Sequence, residues 1–378
     1  MKKAVSFLIL FLEFWPAPYP SIQSRCSCGS DPRITVSYNS MRSHRSTPRP
    51  ELLLISGEDM QVRVNAEGPE GDSLGKRLVT SDGGRTWKEV DTTLSSQTFG
   101  PPLATTYRYD RGTDLQRSRD GGKHWERPVM NINGMSGKRF SEMAGGSSET
   151  PMIRIGAMHP RNPDTVYGCI LVTASTAPGT AVPKEVPGLF VSLDAGDNWK
   201  VFSLELRGFE PEGYCTLGIS PENPAVMIGH GQSGVVVSGD GGKSWRPVNN
   251  QRELEKPAPL SGYSEARQAL EKKGGRPIRE WPFEWTYLTV IQYEFQPGRS
   301  DVIYMVTNKG LFKSGDGGLN WCLLETGPKR LFSLGKVHID QENPRRLFLG
   351  TDTKILVSDD AGCHFRVFFD SELHTLAR

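Results

Sequence analysis

Ser238-Gly239-Asp240-Gly241-Gly242-Lys243-Ser244-Trp245 is the stretch whose reading decides the fold. It follows the apolar run Val235-Val236-Val237, so a strand is expected to end where the octet begins. A short carboxylate in this position can accept backbone N–H groups across a tight turn. A glycine supplies a positive φ that a Cβ would oppose. The Ser238 hydroxyl can close the same turn, and Trp245 brings a large area to bury between sheets. The octet returns as 80–87 (Thr-Ser-Asp-Gly-Gly-Arg-Thr-Trp), 118–125 (Ser-Arg-Asp-Gly-Gly-Lys-His-Trp), 192–199 (Ser-Leu-Asp-Ala-Gly-Asp-Asn-Trp), 314–321 (Ser-Gly-Asp-Gly-Gly-Leu-Asn-Trp) and 358–365 (Ser-Asp-Asp-Ala-Gly-Cys-His-Phe). Five of the eight tryptophans lie in these octets, so most of the tryptophan serves folding. The repeated acids Asp82, Asp120, Asp194, Asp240, Asp316 and Asp360 are therefore expected to be structural rather than catalytic.

Working outward, a second register appears. Asn223-Pro224, Arg299-Ser300 and Asn343-Pro344 begin turns that each precede an octet Asp by 17 residues. Between turn and octet lie two apolar runs, as in Val226-Met227-Ile228 and Val235-Val236-Val237. Another run precedes the turn (Val337-His338-Ile339) and a fourth follows the octet (Phe365-Arg366-Val367-Phe368). Four short antiparallel strands in a repeat of about 40 residues make a propeller blade. The expected fold is all-β: a single β-propeller of about six four-stranded blades, seven being the alternative, with the octet turns on one face.

The octet resembles the Asp-box, or BNR repeat, of sialidases, sortilin-type receptors, xyloglucan-cleaving enzymes and photosystem assembly factors. The resemblance covers roughly residues 50 to 370. The intervals between octet Asp residues are 38, 74, 46, 76 and 44. The long intervals are read as insertions, at 130–150, 173–187 and 249–285. Ser264–Lys273 within the last of these is expected to be a short helix. In a blade, the turn preceding strand two and the octet turn share one end, so all three insertions are expected on the opposite face, around the mouth of the channel. Long loops on a rigid scaffold are where binding concentrates.

Composition narrows the function. The 378 residues carry 45 basic and 43 acidic side chains, a net charge of +2, which gives no electrostatic case for nucleic acid. Lys2 and Lys3 precede the apolar run Ala4–Leu12, which is in the range of an export signal and too short for a membrane span. Residues 1–30 are read as export signal and flexible N-terminus, and 31–378 as the propeller. The expected location is secreted or periplasmic. Gln23-Ser24-Arg25 before Cys26 is a poor lipidation signal, so no lipid anchor is expected. The six cysteines, Cys26, Cys28, Cys169, Cys215, Cys322 and Cys363, contain no C-x-x-C pair. No metal or other cofactor is expected, and the disulfide pairing stays open.

Candidate ligand-binding residues are Arg276, Arg279, Trp281 and Trp285, cations beside aromatic faces that suit sugars, carboxylates or peptides. The resemblance to sialidases implies an arginine cluster, a Tyr assisted by Glu, and an Asp acid. Pro32-Arg33-Ile34-Thr35 departs from the family's R-I-P motif. Arg154 stands on an expected innermost strand. Tyr214 with Glu212 share a face if extended, whereas Tyr293 and Glu294 are neighbours that point oppositely. Glycoside hydrolysis generally needs two carboxyl groups about 5 to 9.5 Å apart. Glu142, Glu149, Glu185, Glu212, Glu284 and Glu294 are available, and no pair is singled out. The reading favoured is a non-catalytic binding or assembly module for a protein or glycan. An exo-acting glycoside hydrolase of sialidase type is the alternative.

Overall fold

A computed structural model describes residues 49–56, 59–67, 73–81, 85–90, 105–110, 114–146, 151–177, 180–206, 215–231, 234–255, 288–324, 334–351 and 354–370, with the backbone alone over 49–77 and 173–185. The chain is mostly β-sheet. The first sheet runs β1 (Arg49–Ser56), β2 (Asp59–Glu67), β3 (Ser73–Thr80), β4 (Lys88–Val90). The second pairs β5 (Thr106–Asp110) with β6 (Asp114–Ser118), and an Arg117–Glu126 bridge extends it. The third has five strands. Their chain order is β7 (Asn131–Ile132), β8 (Met152–His159), β9 (Asn162–Ala177), β10 (Thr180–Ser192) and β11 (Asn198–Ser203), and their spatial order is β7-β11-β10-β9-β8. Three regular four-stranded meanders follow. They are β12 (Leu217–Ile219) to β15 (Arg246–Pro247) through β13 (Met227–Gly231) and β14 (Gly234–Ser238); β16 (Val290–Phe295) to β19 (Cys322–Leu323) through β17 (Ile303–Thr307) and β18 (Gly310–Ser314); and β20 (Leu334–Ile339) to β23 (Arg366–Asp370) through β21 (Leu347–Thr351) and β22 (Lys354–Ser358).

Sequence punctuation explains the meanders. In the first, fourth, fifth and sixth sheets the octet lies between the third and fourth strands; in the second it follows β6, and in the third it lies between β10 and β11. The octet meets the earlier turn of the same sheet through one recurring bond. Ala195, Gly241, Gly317 and Ala361 donate their N–H groups to the carbonyls of Asp164, Ala225, Asp301 and Arg345, at 2.7–2.9 Å. The two turns of a sheet thus share one end.

Aromatic residues couple the sheets in a constant direction. Trp199 packs with Tyr107 and Leu115 of the second sheet, Trp321 with Ile228 and Val237 of the fourth, and Phe365 with Tyr304 and Leu311 of the fifth. Trp199, Trp321 and Phe365 therefore pack against the preceding sheet, whereas Trp125 lies under Arg108 of its own sheet. Trp87, of the first octet, packs against Phe348, Ile355, Val357 and Phe369 of the last sheet. Its ring lies edge-on to Phe368 and Phe369, at 5.9 and 5.2 Å.

Beside these contacts, hydrogen bonds staple β5 to β8, the start of β12 to β16, and β16 to β20. Ile155 N–H donates to the Tyr109 hydroxyl at 2.7 Å, and the Thr216 hydroxyl donates to the Val290 carbonyl at 3.1 Å. The Gln292 amide brackets the Val337 peptide, accepting its N–H at 2.8 Å and donating to its carbonyl at 3.0 Å. Between the third and fourth sheets the staple is covalent, a Cys169–Cys215 disulfide. Cys322 and Cys363 are also disulfide-bonded.

The described residues include two short helices, α1 (Gly137–Met143) and α2 (Gln251–Glu255), both within segments read as insertions in an all-β chain. Asn131–Ile132 first adds to the outer edge of the third sheet, parallel to β11. The reason is local, because Asn131 and Asn133 donate to the carbonyls of Asp197 and Trp199. Asn249 and Asn250 hold Leu319 and Trp321 of the fifth sheet in the same way. Only beyond these contacts do the helices reach the end away from the octets. There Gln251 accepts the Val235 N–H at the β13–β14 hairpin, and Phe140 packs edge-on against Phe190. Within the 173–187 segment, 173–177 and 180–187 prolong β9 and β10 as a two-stranded ribbon. The Ser264–Lys273 helix lies outside the described residues.

Candidate functional site

The octet turns come first, because their carboxylates are the most numerous candidate acids. In the 240 turn, Asp240 Oδ1 accepts the N–H groups of Lys243 and Ser244, both at 3.0 Å, and the Ser238 hydroxyl at 2.8 Å. Its Oδ2 accepts the Ser244 hydroxyl at 2.6 Å. The Ser238 oxygen in turn accepts the Gly242 N–H at 2.8 Å. At Asp120, Asp194, Asp316 and Asp360 the serine hydroxyl and the N–H four residues on are accepted in the same way, the Oδ2 partner being His124, Asn198, Asn320 and His364, and Asp120 and Asp316 also accept the N–H three residues on. These hydrogen bonds, led by those from the Ser244 side chain and backbone, hold the Asp240 carboxyl far below the usual carboxylate range. Two consecutive positions take a positive φ, such as Gly241 at 75° and Gly242 at 82°. In the 192 and 358 octets the first of these is Ala, Ala195 at 61° and Ala361 at 63°. All five described carboxylates are engaged inside their own turns. Asp82 lies outside the described residues.

The remaining candidate side chains lie on β8, β16 and β20. Arg154 sits on β8 opposite Cys169, its guanidinium carbon 5.9 Å from the ring centroid of Tyr109. Its Nε is buried and has no hydrogen-bond partner among the described residues. On β16, Tyr293 and Glu294 part company. Tyr293 is buried in the core between the fourth and fifth sheets, where burial raises its hydroxyl and leaves it without a partner among the described residues. Glu294 lies with Gln292 towards the sixth sheet and accepts the Gln292 amide at 3.0 Å. The Glu294 side chain is only partly covered, yet desolvation pushes its carboxyl up to about 7, against the opposing pull of Gln292 and Lys336. Neighbouring β20 contributes Lys336 and His338. Burial, then the Lys336 charge, holds the His338 imidazole down at about 4. The arrangement offers an exposed ammonium, a carboxyl that changes charge near neutral pH, and a neutral imidazole.

Of the sequence candidates, Arg154 is described. Glu212, Tyr214, Arg276, Arg279, Trp281 and Trp285 lie outside the described residues. Gln292, Lys336 and His338 were not singled out from sequence. Their signal was present as polar residues alternating with apolar ones in runs read only as strands. Among the described residues no group of three or more His, Cys, Asp or Glu could hold a metal ion, and no helix is long and apolar enough to cross a membrane.

No family model and no curated protein matches the chain. Among solved structures it is similar to an ancestral GH74 enzyme, at 16% identity and a TM-score of 0.38 over 69% of this chain and 29% of that one. It is also similar to YCF48 bound to D1 peptide, at 15% identity and a TM-score of 0.36 over 87% and 88% of the two chains. A third is the GH74 xyloglucanase from Xanthomonas campestris, at 15% identity and a TM-score of 0.27 over 85% and 48%. The chain thus spans less than a third of the ancestral GH74 enzyme and about half of the xyloglucanase.

Proposed function

We propose that the chain is an exported Asp-box β-propeller of six blades, closed into a ring, that acts as a non-catalytic binding or assembly module for a protein or glycan. The partner docks on the face away from the box turns, where the 173–187 ribbon and the 249–285 segment stand, and Arg276, Arg279, Trp281 and Trp285 make the contacts. The observation that carries the reading is the complete engagement of the five described box carboxylates within their own turns, which makes the repeat a scaffold and leaves recognition to what varies between repeats. Ring closure is supported by Trp87, which meets the last sheet as every other box aromatic in the described clusters meets the sheet before it. Export is supported by the Cys169–Cys215 disulfide, since such bonds persist in oxidising compartments.

The test is retention of extracytoplasmic proteins and of an arrayed glycan set by the purified chain and by the triple variant Arg276→Ala, Trp281→Ala, Trp285→Ala. A specific partner held by the parent and lost by the variant, at equal melting temperature, is expected. Equal retention by both would overturn the assigned face. One observation favours the alternative, an exo-acting glycoside hydrolase of sialidase type. Glu294 keeps a carboxyl near neutral, as a general acid requires. Turnover of a fluorogenic sialoside that disappears in Glu294→Gln would replace the binding reading with that one.

A further inference from the structure

The ribbon formed by β9 and β10 has one edge built for pairing and one that is blunted. Strand β8 pairs with β9 only as far as Met152 opposite Leu171, and β11 joins β10 only from Leu189. Beyond those points Val172–Ala177 pairs with β10 on one side, and among the described residues no strand lies on the other. Proline fixes which backbone groups point outward. Pro183 lies opposite Thr173 inside a ladder that continues through Val182–Ala174 and Lys184–Val172. Lacking an N–H, Pro183 can occupy only a pair whose backbone groups face away from the partner strand. Thr173 therefore presents its N–H and C=O outward. So does Ser175, two residues on and opposite Ala181. Leu171 shares this phase, and its outward side is where β8 pairs, as the assignment requires.

The two edges differ in consequence. On β10, the outer edge loses a donor at Pro183 and is followed by Lys184 and Glu185, devices that discourage pairing. On β9, Thr173 and Ser175 offer donors and acceptors in a run without proline or charge. From Thr165 to Pro183 the sequence contains no Asp, Glu, Lys or Arg. An isolated two-stranded ribbon is marginal in water, and a further strand stabilises it. A charge-free edge is what pairing with an identical strand demands, because a two-fold axis sets like residues against each other and any charge would meet its copy.

We propose that two copies of the chain pair through Val172–Thr176, antiparallel about a two-fold axis at Ala174, so that Thr173 of each copy exchanges backbone hydrogen bonds with Ser175 of the other. The result is a four-stranded ribbon shared between protomers. This goes beyond the binding reading and does not depend on it. Sedimentation velocity over a wide concentration range tests it, using the parent, Ser175→Pro and Ala174→Glu. Ser175→Pro removes an outward donor while sparing the ribbon's own bonds, and Ala174→Glu sets two carboxylates against each other at the axis. A dimer is expected for the parent. Both variants should be monomers with the parent's melting temperature, and Ala174→Glu should regain the dimer when acid neutralises its carboxyl. Should Ser175→Pro fail to fold, Ala174→Glu decides alone. A parent that stays monomeric throughout, or a dimer unaffected by Ala174→Glu, overturns the proposal.

Discussion

Asp194 shows how much a single residue does in this molecule. Burial opposes its ionisation, but hydrogen bonds from the Asn198 side chain and backbone and from Ser192 outweigh it and hold its carboxyl below the usual range. A carboxyl whose pKa is lowered on folding contributes stability above its unfolded pKa, and loses that contribution as pH falls through its folded value. Asp194→Ala strips the Asn198 N–H of its acceptor and is expected to cost about 1–3 kcal/mol, read as a lower melting temperature at neutral pH. Ligand binding measured well below the melting point should be unchanged, and a binding loss at full stability would mean that the turn itself touches the partner. This chemistry was legible in the sequence because it is local, with donor and acceptor never more than four residues apart. One residue-level feature was not legible. The first left-handed position is hidden by Ala195 and Ala361, which accept at 61° and 63° what three other described turns give to glycine.

Among the strands and sheets, the decisive bonds run between neighbours, and sequence patterns do not reveal them. Gln292 looks like any polar residue on a strand until its amide is seen bracketing the Val337 peptide. Gln292→Ala leaves a buried N–H and carbonyl without that partner and is expected to cost about 1–3 kcal/mol in chemical denaturation. A change within error would show that the staple adds nothing to sheet packing. Glu294 and His338, on the neighbouring strands β16 and β20, predict a pH effect that wild type conceals. Between about 4.5 and about 7 the folded state binds more protons at Glu294 than the unfolded state does, so its contribution to stability falls as pH rises. Between about 4 and 6.5 the unfolded state binds more protons at His338, so that contribution rises with pH. The two oppose each other in the shared window. Melting temperatures of Glu294→Gln should climb with pH there, and those of His338→Gln should fall. Parallel profiles for the two variants would contradict the assignment. The strand runs carrying these residues were legible from their apolar pattern. The edge strand at Asn131–Ile132 was not, since its partner β11 lies more than sixty residues away in sequence.

For the whole molecule, the period of the octets carried the reading of repeated four-stranded sheets, because a tight turn followed by an aromatic punctuates each one. What periodicity could not convey is which sheet each aromatic meets. Trp199, Trp321 and Phe365 all pack backward onto the preceding sheet, and Trp87 obeys the same rule only if the last sheet precedes the first. The ring and the insertion-bearing face both rest on that contact, because an open row of sheets would have no channel mouth for the insertions to surround. A double-mutant cycle between Trp87 and Phe369, built from Trp87→Ala, Phe369→Ala and the double variant in denaturant unfolding, tests it most directly. A closed ring predicts a favourable coupling of about 0.5–1.5 kcal/mol, as edge-to-face aromatic pairs give. Strictly additive losses would contradict closure through this contact.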